Sequence, residues 1–281
     1  MCTPDWLALR EGADASARAP ELVERVRTCL AAPSGSGDPA RPGDRSVVRD
    51  LGCGTGSMGR WLAGRLPGPQ LWILHDRDPG LLTLARAGMP AVAADGAPVT
   101  ARTQQGDVTG LRAAEFAGTA LVTASALLDL LTAEEVDGLA AACTEAGCAA
   151  LLTLSVIGHV ELTPSDPLDA HVAAAFDTHQ RRCTGGRRLL GPDAAPATVD
   201  AFGRRGAAVV ARPSPWRLGA DQAGLVQEWL RGWISAACEQ QPDLDRHAGG
   251  YLRRRLDACA AGELRVVVGM VDVLALPASA S

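Results

Sequence analysis

Short apolar runs alternate with amphipathic segments along most of the chain, and this pattern predicts the secondary structure. Helical segments carry apolar residues at three- and four-residue spacing, and one of them opens with the capping box Thr132-Ala133-Glu134-Glu135. Strands that alternate with helices over short connections indicate a parallel sheet covered on both faces. The fold class is therefore α/β, with a doubly wound, mostly parallel seven-stranded sheet. The predicted strands are 46–51, 71–75, 99–105, 119–124, 149–155, 207–212 and 264–274.

The chain divides into an N-terminal helical segment and one α/β domain. Residues 1–45 are predicted to form a helical cap and linker, with helices inside 5–30 and a loop rich in proline, glycine and serine at 33–45. The α/β domain occupies 46–281. Within it, residues 156–200 follow the fifth strand and are more numerous than a connection needs, and long insertions are often functional lids. We expect this insertion to be a helical lid that recognises the substrate.

Composition and charge exclude several partners and ligands. The formal net charge of −5 argues against general nucleic-acid binding, and arginine clusters such as Arg253-Arg254-Arg255 are predicted to be solvated. The eight cysteines include no Cys-x-x-Cys pair, so we expect reduced thiols and no metal. The sequence shows neither a signal-peptide pattern nor an apolar stretch of about 18 residues. We therefore expect a cytoplasmic protein with no membrane partner, and homodimer assembly is left open.

The most informative motif lies where the first strand ends. The apolar run 47–51 leads into a turn with glycine at 52, 54 and 56, and a helix is predicted to follow. Glycine lets the backbone adopt positive φ and lets a ligand lie directly against its amides. A phosphate-binding loop would need a lysine after its last glycine, and the chain has no lysine. A dinucleotide site needs Gly-x-Gly-x-x-Gly, which Gly54, Gly56 and Gly59 supply in register.

Acids follow the second and third predicted strands. Asp76 ends the apolar run 71–75, about 20 residues after the glycine turn, where an acid accepts hydrogen bonds from ribose hydroxyls. Its neighbour Asp78 precedes a proline and is typical of a helix cap. The Gly106-Asp107 pair follows the third strand. The spacing of Asp76 from the glycine turn therefore predicts a ligand that carries a ribose.

The string Asp50-Leu51-Gly52-Cys53-Gly54-Thr55-Gly56 resembles the first motif of class I S-adenosylmethionine-dependent methyltransferases of the small-molecule type. The resemblance covers roughly residues 46–160. It implies a Rossmann-like methyltransferase fold, whose seventh strand is antiparallel and lies between the fifth and sixth. It also implies S-adenosyl-L-methionine as cofactor, with Asp107 bonding the adenine amino group. The implied cofactor-binding residues are Asp50, Gly52, Cys53, Gly54, Gly56, Asp76, Arg77, Asp107, Val108 and Ser125.

Residues for the methyl acceptor are expected where the fourth and fifth strands end. Ser125 is predicted to line the methyl-donor end, with Asp129 one helical turn further on. A hydroxyl or ammonium acceptor needs a base, and histidine titrates near neutral pH. The candidate bases are His159 and His179, with Glu161 as a lesser candidate. In the first helix, Arg10 or Arg18 could meet the cofactor carboxylate.

The sequence therefore predicts a methyltransferase that acts at O, N or C of a small organic metabolite. Two alternatives stay open. One is an NAD(P)-dependent oxidoreductase, because the glycine turn also fits the dinucleotide spacing. The other is a non-catalytic S-adenosylmethionine-binding protein of the same fold.

Overall fold

The structure is a computed structural model that describes residues 3–31 and 45–277. The loop predicted at 33–45 lies outside the described residues except for its last position. The helices of the described ranges are α1 (Pro4–Ala17), α2 (Pro20–Ala31), α3 (Ser57–Ala63), α4 (Pro79–Ala87), α5 (Ala133–Ala146), α6 (Asp169–Gln180), α7 (Ala194–Gly203), α8 (Ala223–Gln240) and α9 (Asp245–Ala260). The strands are β1 (Ser46–Leu51), β2 (Gln70–Asp76), β3 (Val99–Gln105), β4 (Leu121–Ser125), β5 (Ala149–Thr163), β6 (Cys183–Thr184), β7 (Arg187–Arg188), β8 (Ala208–Pro213), β9 (Trp216–Leu218) and β10 (Arg265–Leu276).

One large sheet organises the domain. Its strand order is β3-β2-β1-β4-β5-β10-β8, and β9 pairs with the other end of β10. Strands β1 to β5 are parallel, and β10 is antiparallel to both β5 and β8. One core lies between the sheet and α2, α3 and α4, and another lies between the sheet and α5 and α7. The predicted doubly wound, mostly parallel sheet with an antiparallel strand between the fifth and sixth is confirmed.

The fifth strand is longer than predicted, and this corrects the start of the insertion. Strand β5 does not end at 155 but continues to Thr163, which pairs with Arg265 at the start of β10. Between 157 and 161 its residues alternate between exposed and half-buried. Such alternation is typical of a strand with one covered face. Residues 156–163 are therefore sheet, and the predicted insertion begins after Thr163.

The later helices of the chain build a third core. Helices α6, α8 and α9 pack together over the extended halves of β5 and β10. Helix α9 contains Arg253-Arg254-Arg255, which the charge pattern predicts to be solvated. That prediction is wrong for Arg255, whose buried guanidinium donates to the Pro164 carbonyl and to the Asp169 carboxylate. Among the helices of the described ranges, none is long and apolar enough to cross a membrane.

A buried carboxylate on β10 fixes the N-terminal helices to the sheet. Asp272 accepts a hydrogen bond from the Ala19 backbone N–H at 2.9 Å, at the corner between α1 and α2. Its other oxygen accepts from the Leu154 N–H on β5 at 2.8 Å. Burial raises the pKa of Asp272, and these two N–H groups stabilise its ionised form. Asp272 therefore holds the α1–α2 corner at a fixed place above the carboxyl ends of the strands.

Replacing Asp272 by alanine should lower the free energy of unfolding by about 2–5 kcal/mol, because two buried N–H groups would lose their acceptor. Urea unfolding at neutral pH measures this change. Asp95→Ala is the matched control, since Asp95 also accepts from two backbone N–H groups, those of Gly68 and Ala97, but at the surface. The control should cost about 1 kcal/mol or less. Equal losses in the two variants would contradict the role of Asp272.

Candidate functional site

The glycine turn lies at the carboxyl end of β1, and its geometry excludes side chains. Gly52, Gly54 and Gly56 have φ of +59°, +55° and +87°. A Cβ on Gly56 would lie 3.0 Å from the Ala85 Cα on α4, and a Cβ on Gly54 would lie 3.2 Å from the Leu7 side chain on α1. The turn therefore presents bare backbone in a narrow space between α4 and α1, as close contact with a ligand requires.

Asp76, at the end of β2, reaches the glycine turn. One of its carboxylate oxygens accepts from the Gly54 N–H at 2.9 Å, and the other accepts from the Asp78 N–H at 3.0 Å. The Cys53 N–H donates to the His75 carbonyl at 3.0 Å, which joins the turn to the same strand tip. Each carboxylate oxygen can accept a further hydrogen bond. Asp76 therefore braces the turn and keeps acceptor capacity for a diol.

Asp107 follows β3 at the next strand tip. One of its oxygens accepts from the Thr109 N–H at 2.9 Å and from the Thr109 hydroxyl at 2.8 Å, and these bonds lower the pKa of Asp107. The Gly106 N–H donates to the Asp76 carbonyl at 3.0 Å. Arg77 is exposed and Val108 half-buried beside these acids. The structure thus brings Asp76 and Asp107 to neighbouring strand tips, as the sequence predicts.

Asp50, at the end of β1, is buried rather than exposed to solvent. It is 1% exposed, and one of its oxygens accepts from the Thr123 hydroxyl on β4 at 2.7 Å. Its other oxygen has no hydrogen-bond partner within the described residues. Burial raises the pKa of Asp50 to about 7. A group that brings positive charge close to this oxygen would favour the ionised form.

A buried arginine from the N-terminal segment completes this end of the site. Arg18 is 3% exposed, and its Nη2 donates to the Ser125 hydroxyl at 3.0 Å and to the Ser57 hydroxyl at 3.3 Å. Its Nε and Nη1 have no acceptor in the part of the chain that the structure describes. The guanidinium lies 5.3 Å from the ring centroid of Trp61, and burial lowers its pKa. Arg18 is thus a cation beside the glycine turn with unused donors.

The other N-terminal arginine is already engaged. Arg10 donates from Nε and Nη2 to the Asp14 carboxylate at 2.9 and 3.1 Å, and its guanidinium lies 4.9 Å from the ring centroid of Trp216. The Trp216 indole N–H donates to the same carboxylate at 2.9 Å. Of the two candidates for the cofactor carboxylate, the structure therefore favours Arg18 over Arg10.

Helix α1 is tethered across the glycine turn by an ion pair. Arg60 on α3 donates to both carboxylate oxygens of Glu11 at 2.7 and 2.6 Å. Its Nη1 donates to the Thr55 carbonyl, inside the turn, at 2.6 Å. The hydrogen bond from Arg60 lowers the pKa of Glu11. Together with the contact of Leu7 on Gly54, this ion pair closes α1 over the turn.

The segment after β4 forms the other wall of the site. Ser125 ends β4 and accepts from Arg18, and Ala126 has a φ of +51° in the left-handed region. The Leu127 side chain then lies 3.2 Å from the position of a Cβ on Gly52. Asp129 follows in a short 3₁₀ turn and is half-buried. Burial raises the pKa of Asp129 to about 6, and the charges of Arg10 and Arg182 oppose that rise.

The two predicted histidine bases lie on different elements, and His159 is remote from the glycine turn. His159 lies on the second half of β5, six residues beyond the Thr153 that pairs with Ser125, or about 20 Å further along the strand. Its side chain is 55% exposed and contacts Glu161 at 2.9 Å. His179 lies near the end of α6, and its Nε2 lies 3.2 Å from the Glu239 carboxylate on α8. The placement of His159 departs from the prediction because residues 156–163 are strand rather than lid.

Several site residues were missed by sequence reasoning. Ser57, Glu11 and Arg60 carry no motif of their own, and their partners are distant in sequence. Asp272 did have a signal, because it is the single charged residue inside the apolar run Val266–Leu276. An acid in such a run is seldom buried without partners.

Comparisons with known proteins gave structural similarities only. No family model matches the sequence, and no curated protein matches it. A magnesium protoporphyrin IX methyltransferase from Synechocystis PCC 6803 with bound SAH is 13% identical with a TM-score of 0.46, over 98% of this chain and 89% of that chain. A cyclopropane synthase from Mycobacterium tuberculosis is 14% identical with a TM-score of 0.44, over 91% and 83%. A SAM-dependent methyltransferase from Geobacter sulfurreducens, in complex with S-adenosyl-L-homocysteine, is 17% identical with a TM-score of 0.41, over 97% and 98%. Similarities of this size carry no statement about activity, and the fold of this chain rests on its own strand order.

Glu11→Gln should loosen α1 without unfolding the domain, because the variant removes the charge that holds Arg60. Hydrogen exchange followed by mass spectrometry should show several-fold faster exchange in residues 4–17 at neutral pH. Since Arg60 lowers the pKa of Glu11, the wild-type tether should weaken on acidification through that lowered value. Glu24→Gln is the control, because Glu24 pairs with Arg27 on the exposed face of α2. Unchanged exchange over 4–17 in Glu11→Gln would contradict the tether.

Proposed function

We propose that this protein is an S-adenosylmethionine-dependent methyltransferase that acts at O, N or C of a small organic molecule. One observation carries the proposal: the buried Arg18 guanidinium beside the glycine turn keeps two nitrogens without an acceptor among the described residues. Burying a cation with unmet donors is costly, and a carboxylate ligand would offset that cost. The amino-acid end of S-adenosylmethionine carries such a carboxylate.

Three further carboxylates of the site fit the other parts of S-adenosylmethionine. Asp76 has acceptor capacity for the ribose diol, and Asp107 on the next strand tip is available for the adenine amino group. The unpartnered oxygen of Asp50 suits the positive charge of the amino-acid end. The spatial order Arg18, Asp76, Asp107 thus matches the order of the carboxylate, the ribose and the adenine in that molecule. The residues present therefore fit S-adenosyl-L-methionine as cofactor.

A nicotinamide dinucleotide fits the same groups less well. It would bring a diphosphate onto the glycine turn, where Asp50 and Asp76 already supply negative charge. Arg60, which reaches the turn at Thr55, is neutralised by Glu11. Carboxylates at this place repel a diphosphate and attract a sulfonium. This observation favours the adenosyl sulfonium over the dinucleotide.

In methyl transfer the protein mainly positions the cofactor and the acceptor, and it forms no covalent bond to either. When bound, S-adenosylmethionine supplies an activated methyl group on a sulfonium with a neutral thioether as leaving group. Arg18, Asp76 and Asp107 would fix the cofactor at three points along its length. Leu7 and Leu127 cover the glycine turn from two sides and exclude water there. The segment from Ser125 to Asp129 would line the acceptor, while a catalytic role for His159 or His179 stays a prediction.

Arg18→Gln should weaken S-adenosylhomocysteine binding about tenfold to hundredfold, because a charge-assisted hydrogen bond to the carboxylate is lost. Binding of 5′-methylthioadenosine, which lacks the amino-acid end, should change little. Isothermal titration with both ligands measures the difference, and Arg27→Gln on exposed α2 is the control. Equal weakening for both ligands would contradict the role of Arg18. Tight binding of reduced nicotinamide dinucleotide with no S-adenosylhomocysteine binding would overturn the cofactor assignment.

Methyl transfer itself should be visible even when the acceptor is unidentified. The wild-type protein is incubated with methyl-deuterated S-adenosylmethionine and a protein-free metabolite extract, and small molecules are compared by mass spectrometry. We expect extract-dependent formation of S-adenosylhomocysteine and a small molecule that gains one labelled methyl group. Binding of S-adenosylhomocysteine with no transfer from any extract would instead support the non-catalytic alternative.

A further inference from the structure

The position of Asp129 separates it from the other acids of the site. It lies four residues beyond Ser125, which contacts Arg18, and two residues beyond Leu127, which covers Gly52. Its 3₁₀ turn, Leu128–Leu130, follows β4 at the carboxyl edge of the sheet, where ligands of open parallel sheets bind. Asp129 therefore follows directly on the residues that close one side of the glycine turn.

The carboxylate of Asp129 is not used to hold the fold together. Asp50, Asp76, Asp107 and Asp272 each accept a hydrogen bond from another residue. Within the described ranges, no other residue donates a hydrogen bond or forms an ion pair to Asp129. A half-buried carboxylate without such partners costs stability. A donor on a bound molecule would supply the missing hydrogen bond.

The charged groups near Asp129 have other hydrogen-bond partners, so its carboxylate stays available as an acceptor. Arg10 on α1 is bound to Asp14, and Arg182, after α6, donates from Nη1 to the His179 carbonyl at 3.1 Å. Further charged groups on the neighbouring elements are paired with each other: Arg187 with Glu135, and Arg181 with Asp193. Arg10 and Arg182 both favour the ionised form of Asp129. The carboxylate is thus kept available as a base near neutral pH.

We propose that Asp129 accepts the proton of the methyl acceptor, which is therefore a hydroxyl or ammonium compound rather than an alkene. This inference rests on the proposed methyl transfer. The bond between sulfur and the methyl carbon breaks, and sulfur keeps the electron pair. A hydroxyl oxygen uses one of its lone pairs, and an ammonium nitrogen uses the pair left by loss of its proton, to form the new bond to that carbon. The acceptor loses its proton to the Asp129 carboxylate, which then releases it to water.

The two histidines lie on other elements than Asp129, and the His179 Nδ1 lies 3.4 Å from the Arg182 Nη1. His159 is exposed and paired with Glu161 on the far half of β5, and His179 contacts Glu239 on α8. Both imidazoles already have carboxylate neighbours. Asp129 alone among these three groups lies in the segment that packs on the glycine turn.

The test compares the wild type with Asp129→Asn and Asp129→Glu. Formation of S-adenosylhomocysteine from S-adenosylmethionine is measured with a protein-free metabolite extract as the source of acceptor, and S-adenosylhomocysteine affinity is measured in parallel. Asp129→Asn should lose turnover about hundredfold or more and keep its affinity within about twofold, because loss of a general base removes that much. Asp129→Glu should recover part of the activity. Asp137→Asn is the control, since Asp137 is also a half-buried carboxyl, but it lies on α5 and is paired with Arg204 and Arg205.

The pH dependence of turnover distinguishes a general base from a structural residue, because a purely structural Asp129 would not set the pH at which turnover falls. Turnover should fall as the pH drops through about 6, where Asp129 takes up a proton. Arg182→Gln should move this acid limb to higher pH, because the positive charge of Arg182 lowers the pKa of Asp129. An unmoved limb would contradict the assignment.

Each remaining outcome of these experiments contradicts either the role of Asp129 or the proposed function. Full turnover in Asp129→Asn, or its loss together with S-adenosylhomocysteine binding, would overturn the proposal. Turnover kept in Asp129→Asn but lost in His179→Gln would assign the base to His179. Labelled methyl groups found only on former alkene carbons would also overturn the role of Asp129. A wild-type protein that binds S-adenosylhomocysteine but never transfers a methyl group would do the same. A wild type that does not bind S-adenosylhomocysteine contradicts the proposed function instead.

Discussion

The carboxylate of Asp272 is the contact on which the arrangement of the site depends. It accepts from Ala19 and Leu154, and the Ala19–Asp272 pair joins positions 253 residues apart in the chain. Because Arg18 directly precedes Ala19, the Asp272 carboxylate fixes the position of the Arg18 guanidinium at the carboxyl ends of the strands. The corner between α1 and α2 is thereby part of the site, although it lies outside the α/β domain in sequence. The Glu11–Arg60 ion pair then closes α1 over the glycine turn.

The buried charges of Arg18 and Asp50 are arranged for a ligand rather than for stability. Arg18 and Asp50 are nearly fully buried, and each keeps polar atoms without partners among the described residues. Native proteins seldom leave buried charges incompletely paired, because desolvation is costly. Burial lowers the pKa of Arg18 and raises the pKa of Asp50, which are the directions in which both groups lose charge. A zwitterionic amino acid placed between them would favour the charged form of both.

Local sequence was sufficient for the parts of the fold in which neighbours in the chain are neighbours in space. The glycine turn, Asp76 and Asp107 each lie within a few residues of a strand end, so a strand–turn–helix pattern located them. Arg18 and Asp129 were only two candidates among several until packing distinguished them, because their surroundings come from α1, α3, β4 and the segment after α6. The alternation over 156–162 is typical of a strand, but the length of the whole segment favoured an insertion. Helix α9 was missed since Gly249-Gly250 and three successive arginines weaken its helical pattern.

Under the proposed function, the end of the glycine turn beside Arg18 and Asp50 recognises the amino-acid end of the cofactor. A crystal structure of the protein with S-adenosylhomocysteine measures this most directly. We expect the ligand carboxylate within hydrogen-bond distance of Arg18, the ribose hydroxyls on Asp76, and the adenine amino group beside Asp107. A ligand bound elsewhere, or one whose carboxylate faces away from Arg18, would contradict this assignment.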